Sequence, residues 1–83
     1  MNMSNMEKAI RKILKDSVKS NRNFDEIDIS ESLTLMGLNS VDFIKIAVGI
    51  EEEFEIKLND DDLDFDYFNT IEKIIIFIEN KKL

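Results

Sequence analysis

Leu35-Met36-Gly37-Leu38-Asn39-Ser40-Val41-Asp42-Phe43-Ile44-Lys45-Ile46 contains a turn glycine, a serine at the mouth of a helix, and the start of a helix with two apolar faces. Set at about 100° per residue, the run from Ser40 to Glu53 or Phe54 puts Phe43, Ile46, Ala47, Ile50 and Phe54 on one broad face, the pattern of a core helix. Val41, Ile44 and Val48 fall on a separate stripe, and Asp42, Lys45, Glu51, Glu52 and Glu53 take much of the remaining surface. An extra apolar stripe bordered by charge is either buried against another piece of the same chain or kept for a partner.

Upstream, Met6, Ala9, Ile10, Ile13, Leu14 and Val18 recur at spacings of three and four, with Lys8, Arg11, Lys12 and Lys15 outside. This predicts one amphipathic helix that opens at Ser4 or Asn5 and ends near Ser20. From Asn21 to Asn39 the period lapses, yet Phe24, Ile27, Ile29, Leu33, Leu35, Met36 and Leu38 keep the segment apolar. Such a loop should pack across the helices, with a short turn after Ser30 or Ser32.

Downstream, Ile56 and Leu58 are expected to plug the core. Asn59 or Asp60 caps a short helical turn that carries Leu63 and Phe65 inward. A last helix from Asn69 or Thr70 to about Lys81 bears the stripe Ile71, Ile74, Ile75 and Ile78, widened by Phe77, with Ile76 more exposed. Lys81 and Lys82 lie at its C-terminal end, where the helix dipole favours cations. Proline is absent, and only Gly37 and Gly49 interrupt helix formers, so strand-like alternation is confined to Glu55–Leu58. The expected fold is all-α: a small four-helix bundle of three main helices and one short one, forming a single domain over residues 1–83.

Composition excludes several function classes. At 83 residues with 43% hydrophobic side chains the chain can hold one core and is too apolar to be disordered. It lacks cysteine, hence disulfides and thiolate sites, and it lacks histidine, the usual general base and zinc ligand. Intrinsic catalysis is not expected. A net charge of −7 disfavours nucleic acid and favours basic protein partners. No basic start leads into a long apolar run and no stretch nears the roughly 20 apolar residues that span a bilayer, so a cytoplasmic protein without membrane insertion is expected.

The carboxylates invite two readings. Asp60, Asp61, Asp62, Asp64 and Asp66 could suggest calcium, but the EF-hand glycine and its distal glutamate are missing, and a solvated acidic capping turn accounts for them. Glu51, Glu52 and Glu53 read as a solvated helical face, and Lys45, among acidic neighbours, stays protonated rather than nucleophilic. No metal site and no catalytic residue is assigned. Ser40 has two readings as well. As a plain N-cap its hydroxyl would accept from a first-turn N–H; as an attachment point it would hold a phosphodiester beside the positive end of the helix.

Met36-Gly37-Leu38-Asn39-Ser40-Val41, followed by an acidic, apolar helix ending Glu51-Glu52-Glu53-Phe54, resembles the acyl carrier and peptidyl carrier protein family, with its Leu-Gly-x-Asp-Ser-Leu signature. The resemblance covers essentially the whole chain. It implies a 4′-phosphopantetheine arm on Ser40, transferred from coenzyme A by a magnesium-dependent phosphopantetheinyl transferase. The arm's thiol would hold an acyl, aminoacyl or polyketide cargo as a thioester, loaded by an acyl- or aminoacyl-activating ligase or adenylation enzyme and passed to synthase enzymes.

It also implies that the serine-bearing helix meets partners, through Val41, Ile44 and Val48 at the family's apolar positions and Asp42, Glu51 and Glu52 at its acidic ones. Two positions depart from the pattern: Asn39 replaces the usual aspartate, and Lys45 stands where fatty-acid carriers place an acidic residue. Both lower the negative charge near the attachment site; Asn39 together with a stand-alone length resembles carriers of specialised peptide or polyketide pathways, with Lys45 selecting partners by charge. The expectation is therefore a monomeric, stand-alone carrier of such a pathway, with the housekeeping fatty-acid carrier as alternative. From a different class, the rival is an unmodified helical interaction module in which Ser40 only caps its helix.

Overall fold

The computed structural model describes residues 5–19 and 22–82. Among them the chain forms four α-helices and no strand: α1 (Asn5–Ser17), α2 (Ser40–Phe54), α3 (Phe65–Phe68) and α4 (Ile71–Lys82). Two 3-10 turns, Thr34–Met36 and Asp60–Asp62, punctuate the connections. Helix α1 packs against α2 and α4, and α3 packs against α4. The all-α architecture expected from the periodicity is the one observed.

The core follows the apolar stripes. Ile10, Leu14, Leu33, Ile46, Ile50, Phe68, Ile71, Ile74 and Ile78 are essentially sealed from water, each such side chain contributing roughly 1.5–3 kcal/mol on burial. Phe43 ties α2 to α3, with its ring 4.5 Å from Phe65 and 5.3 Å from Phe68 between centroids. Ile56 and Leu58 lie half-buried against the core, and Ile76 faces solvent as expected.

Arg11 departs from the sequence reading. It was expected on the outer face of α1, yet only 6% of it is exposed. Its Nη1 donates to the carbonyls of Phe24 and Ile27, each at 2.8 Å, while its Nη2 pairs with Glu7 at 3.0 Å. The α1–α2 connection supplies carbonyls with no helical or strand partners, and a guanidinium carries enough donors to satisfy two of them at once. Phe24 and Ile27 are thereby held in the core alongside Leu33 and Leu38.

Other positions also differ. Helix α1 ends at Ser17; Ser4, the alternative cap, and Ser20 lie outside the described residues. Leu35 and Leu63, expected to pack inward, are exposed. Asn59 caps a short turn as expected, the 3-10 turn Asp60–Asp62, but the short helix α3 is separate from it, beginning at Phe65 and capped by Asp64. Gly49 does not break α2. A Cβ there would stand 2.9 Å from Ile13 Cγ2, so glycine is what lets α1 and α2 approach this closely. Helix α2 ends at Phe54, and the C-cap residue Glu55 adopts the left-handed conformation (φ +53°) usually taken by glycine.

Candidate functional site

The turn before α2 is set by local geometry. Gly37 sits at φ +99°, a region open to glycine at little cost, and its N–H donates to Thr34 O at 3.2 Å. The next residue, Leu38, points into the core and its N–H returns to Leu33 O at 3.2 Å. Leu38 and Phe43 are the N′ and N4 positions around the Asn39 cap, the pair that an apolar staple uses to set the entry angle of a helix; both are buried.

Asn39, not Ser40, is the N-cap. Its backbone is extended (φ −111°, ψ 179°), its Oδ1 accepts from the Asp42 N–H at 2.9 Å, and Asp42 Oδ2 accepts from the Asn39 N–H at 3.4 Å. Ser40 is the first helical residue and exposed, and its hydroxyl makes no hydrogen bond among the described residues. The reading of Ser40 as a plain cap is therefore corrected. In the first turn the N–H groups of Ser40 and Val41 have no intrahelical acceptor by construction, which makes this end of α2 favourable to an attached phosphodiester. The residues present fit such a group: an uncommitted hydroxyl in solvent, at a helix N-terminus whose cap is supplied by the preceding residue.

The second stripe of α2 is exposed. Val41, Ile44 and Val48 show 61%, 57% and 45% of their surface, which removes the alternative of burial within the chain. Lys45 and Glu52 lie exposed on the same helix and Asp42 half-exposed at its start, its carboxylate engaged in the cap. Glu51 is set apart from them. It is half-buried, and its Oε2 accepts from the Leu58 N–H at 2.9 Å, so this carboxylate orders the connection after α2 rather than a freely solvated face.

Two features near the site were not legible in the sequence. Leu35, five residues before Ser40, is 89% exposed at the tip of the 3-10 turn. Asn69, read as a possible start of the last helix, instead joins α3 to α4 and binds the segment leading to Ser40. Its carbonyl accepts from the Leu33 N–H at 2.7 Å, and its Oδ1 lies 3.3 Å from Thr34 N, 3.1 Å from Thr34 Oγ1 and 3.2 Å from Ser32 Oγ. Only the proximity of Asn69 to a segment 35 residues away reveals this role.

In the acidic run, Asp62 accepts from the Asn59 N–H at 2.9 Å and pairs with Lys81 at 2.7 Å, while Asp64 accepts from the Asp66 N–H at 2.8 Å. The Lys81 ammonium, helped by the Asn59 N–H, holds the Asp62 carboxyl below the usual aspartate range. No group of carboxylates that could hold a metal ion gathers among the described residues.

Comparison with known proteins gives a family. The family described as "Phosphopantetheine attachment site" matches residues 8–78. The acyl carrier protein of Buchnera aphidicola subsp. Acyrthosiphon pisum (strain 5A) is 34% identical over 83 residues, covering 98% of each chain. Those of strain Tuc7 and of the Schizaphis graminum subspecies (strain Sg) are each 32% identical, covering at least 95% of both chains. The chain belongs to the phosphopantetheine-attachment family of acyl carrier proteins: it is a carrier whose cofactor is 4′-phosphopantetheine, not an enzyme.

Proposed function

We propose that Ser40 bears the 4′-phosphopantetheine arm and that the chain carries acyl groups as a housekeeping fatty-acid carrier does. The observation that supports Ser40 is the division of labour at the start of α2: Asn39 and Asp42 do the capping, so the adjacent exposed hydroxyl has no structural task to give up. When attached, the arm supplies the thiol that the cysteine-free chain lacks. Ser40 Oγ provides the ester oxygen and surrenders its proton. The chain has no histidine, and among the described residues nothing accepts a hydrogen bond from this hydroxyl, so the base belongs to the phosphopantetheinyl transferase.

The fatty-acid reading replaces the specialised peptide or polyketide carrier as the favoured one. Relatives named acyl carrier protein match this chain over nearly their whole length. Asn39, one of the two departures that argued otherwise, has a structural explanation, since asparagine and aspartate cap helices about equally well. Lys45 remains as an exposed cation on α2 and tunes which loading ligase and synthase enzymes the carrier accepts. Val41, Ile44 and Val48 form the apolar contact, with Asp42 and Glu52 as its acidic border. Glu51 is the least suited of the expected contacts because its carboxylate is held by Leu58. The chain acts as a monomeric single domain in the cytoplasm; among the described residues no helix is long and apolar enough to cross a membrane.

Mass spectrometry after incubation with coenzyme A, magnesium and a broad-specificity phosphopantetheinyl transferase tests the assignment. One phosphopantetheinyl group should add to the wild-type chain and none to Ser40→Ala. An unmodified wild-type chain beside a converted control carrier would sink it. Loading assays with an acyl-activating ligase and an amino-acid-adenylating enzyme then separate the pathways, aminoacyl loading alone overturning the fatty-acid reading.

A further inference from the structure

We infer that Asn69 is a positioning residue for modification at Ser40, acting through the segment that enters α2. The inference rests on Ser40 being the attachment residue.

Asn69 ends α3 two residues before α4 begins, between two elements anchored by the sealed side chains Phe68 and Ile71. From this fixed point it holds the entering segment twice, with its backbone carbonyl on Leu33 N at 2.7 Å and its side-chain Oδ1 beside Thr34 N, Thr34 Oγ1 and Ser32 Oγ. Ser32 Oγ and Thr34 Oγ1 are also 2.9 Å apart. With one proton on each hydroxyl, one donates to the other and that one donates to Asn69, so Oδ1 accepts one hydroxyl proton and the Thr34 N–H. The first turn of α4 adds a further tie, Glu72 N donating to Ile29 O at 3.0 Å.

What Asn69 holds is the base of the turn that presents the serine. Leu33 O accepts from Met36 N at 3.1 Å and from Leu38 N at 3.2 Å, Thr34 O accepts from Gly37 N, and Leu38 leads directly into the Asn39 cap. Hydrogen bonds thus tie Asn69 to the turn as far as Leu38, and the chain itself carries the hold on through Asn39 to Ser40. Leu35 is solvated and Met36 only partly buried, so between the anchors Leu33 and Leu38 apolar packing gives this turn little support. Without the Oδ1 acceptor the turn should sample arrangements in which Ser40 is not presented. A transferase that binds only the presented arrangement then sees an affinity reduced by the fraction of chains in it, with turnover of the bound chain unchanged.

Among the described residues the side-chain hydrogen bonds of Asn69 are all accepted by its Oδ1, which selects the test. Asn69→Asp keeps Oδ1, and Asn69→Ala removes it. In steady-state assays of phosphopantetheinyl transfer far below the melting temperature, Asn69→Ala should raise KM for the carrier by about tenfold at unchanged kcat, and Asn69→Asp should stay near wild type. Ile78→Val, a deletion in the sealed core elsewhere, should lower Tm without moving KM. Hydrogen exchange should show lost protection of the Thr34 and Leu38 amides in Asn69→Ala while the α1 and α4 amides keep theirs. If the wild type is converted normally and Asn69→Ala shows the same KM, or if Ile78→Val raises KM as much, the inference is overturned and Ser40 stands. A wild-type chain that is never modified overturns the Ser40 reading, and this inference with it.

Discussion

Asn39 and Asp42 close a reciprocal pair at the start of α2, with 2.9 Å from Asp42 N to Asn39 Oδ1 and 3.4 Å from Asn39 N to Asp42 Oδ2. The pair brackets Ser40 without using it. A serine that capped this helix would be costly to replace; here the cost should fall on Asn39. Asn39→Ala should destabilise the fold by about 1 kcal/mol, whereas Ser40→Ala should change stability by less than about 0.5 kcal/mol while abolishing modification. Urea denaturation of the two variants checks the contrast, and the reverse order of effects would restore Ser40 as the cap.

Arg11 should be the most sensitive charged residue of α1. Its guanidinium satisfies the Phe24 and Ile27 carbonyls through two buried hydrogen bonds, and truncation leaves both acceptors without that donor. Arg11→Ala should destabilise by roughly 2–4 kcal/mol, and Arg11→Lys should recover only part of the loss because an ammonium lacks the planar fork. The neighbouring exposed residue Lys12 serves as control: Lys12→Ala should stay within about 0.5 kcal/mol of wild type.

Gly49 and Ile13 should be coupled. Alanine in mid-helix gains about 1 kcal/mol over glycine, but here its Cβ would press on the β-branched Ile13, and overpacking costs about 1–3 kcal/mol. Gly49→Ala should therefore be net destabilising in the wild-type chain. With Ile13→Ala already in place the same change should become stabilising. A double-mutant cycle without this change of sign would refute the close approach as the reason for glycine.

The exposed stripe of α2 predicts a separation of function from stability. Val48→Asp adds a charge to a side chain already 45% exposed, so Tm should barely move. KM with the transferase or a loading ligase should rise severalfold. A large fall in Tm with unchanged kinetics would assign Val48 to the core instead. For Lys45, Lys45→Glu should shift preference among loading enzymes, and an unchanged preference across a panel would remove its selecting role.

Acid should weaken the tie between the acidic turn and α4. Lys81 and the Asn59 N–H favour ionised Asp62, so its folded pKa lies below the ordinary aspartate value of 3.8. At pH above that ordinary value Asp62 is ionised in both folded and unfolded chains, and its contribution is complete. As the pH falls through the ordinary value the unfolded chain takes up the proton first, and the contribution declines until the folded group protonates too. Asp28, held ionised by Ser30, acts in the same direction. The difference in Tm between wild type and Asp62→Asn should shrink on acidification from pH 6 to about pH 3; a difference that stays constant would show that the Lys81 pairing contributes nothing pH-dependent.

How much of this was legible in the sequence depends on whether a residue's surroundings are built by its own helix. The sealed face of α2, the separateness of its second apolar stripe and the α4 stripe of Ile71, Ile74 and Ile78 follow from a period of 3.6, a local property of the chain, whereas the exposure of that second stripe does not. The signature around Gly37 and Ser40 likewise pointed to the carrier family that the comparisons found. The choice between Asn39 and Ser40 as cap was different, because both residue types serve and the answer depends on a helix boundary one residue wide.

Tertiary structure alone decided the rest. Arg11 on α1, Glu51 on α2 and Asn69 between α3 and α4 carry polar side chains that a local pattern assigns to solvent or to a helix end. Each instead binds backbone of a connection between the main helices: Phe24 and Ile27, Leu58, and Thr34. Such segments have no periodic signal to announce where they run, yet their N–H and C=O groups must still be satisfied once the chain closes over them. Which side chains answer that requirement is settled only when residues distant in sequence become neighbours.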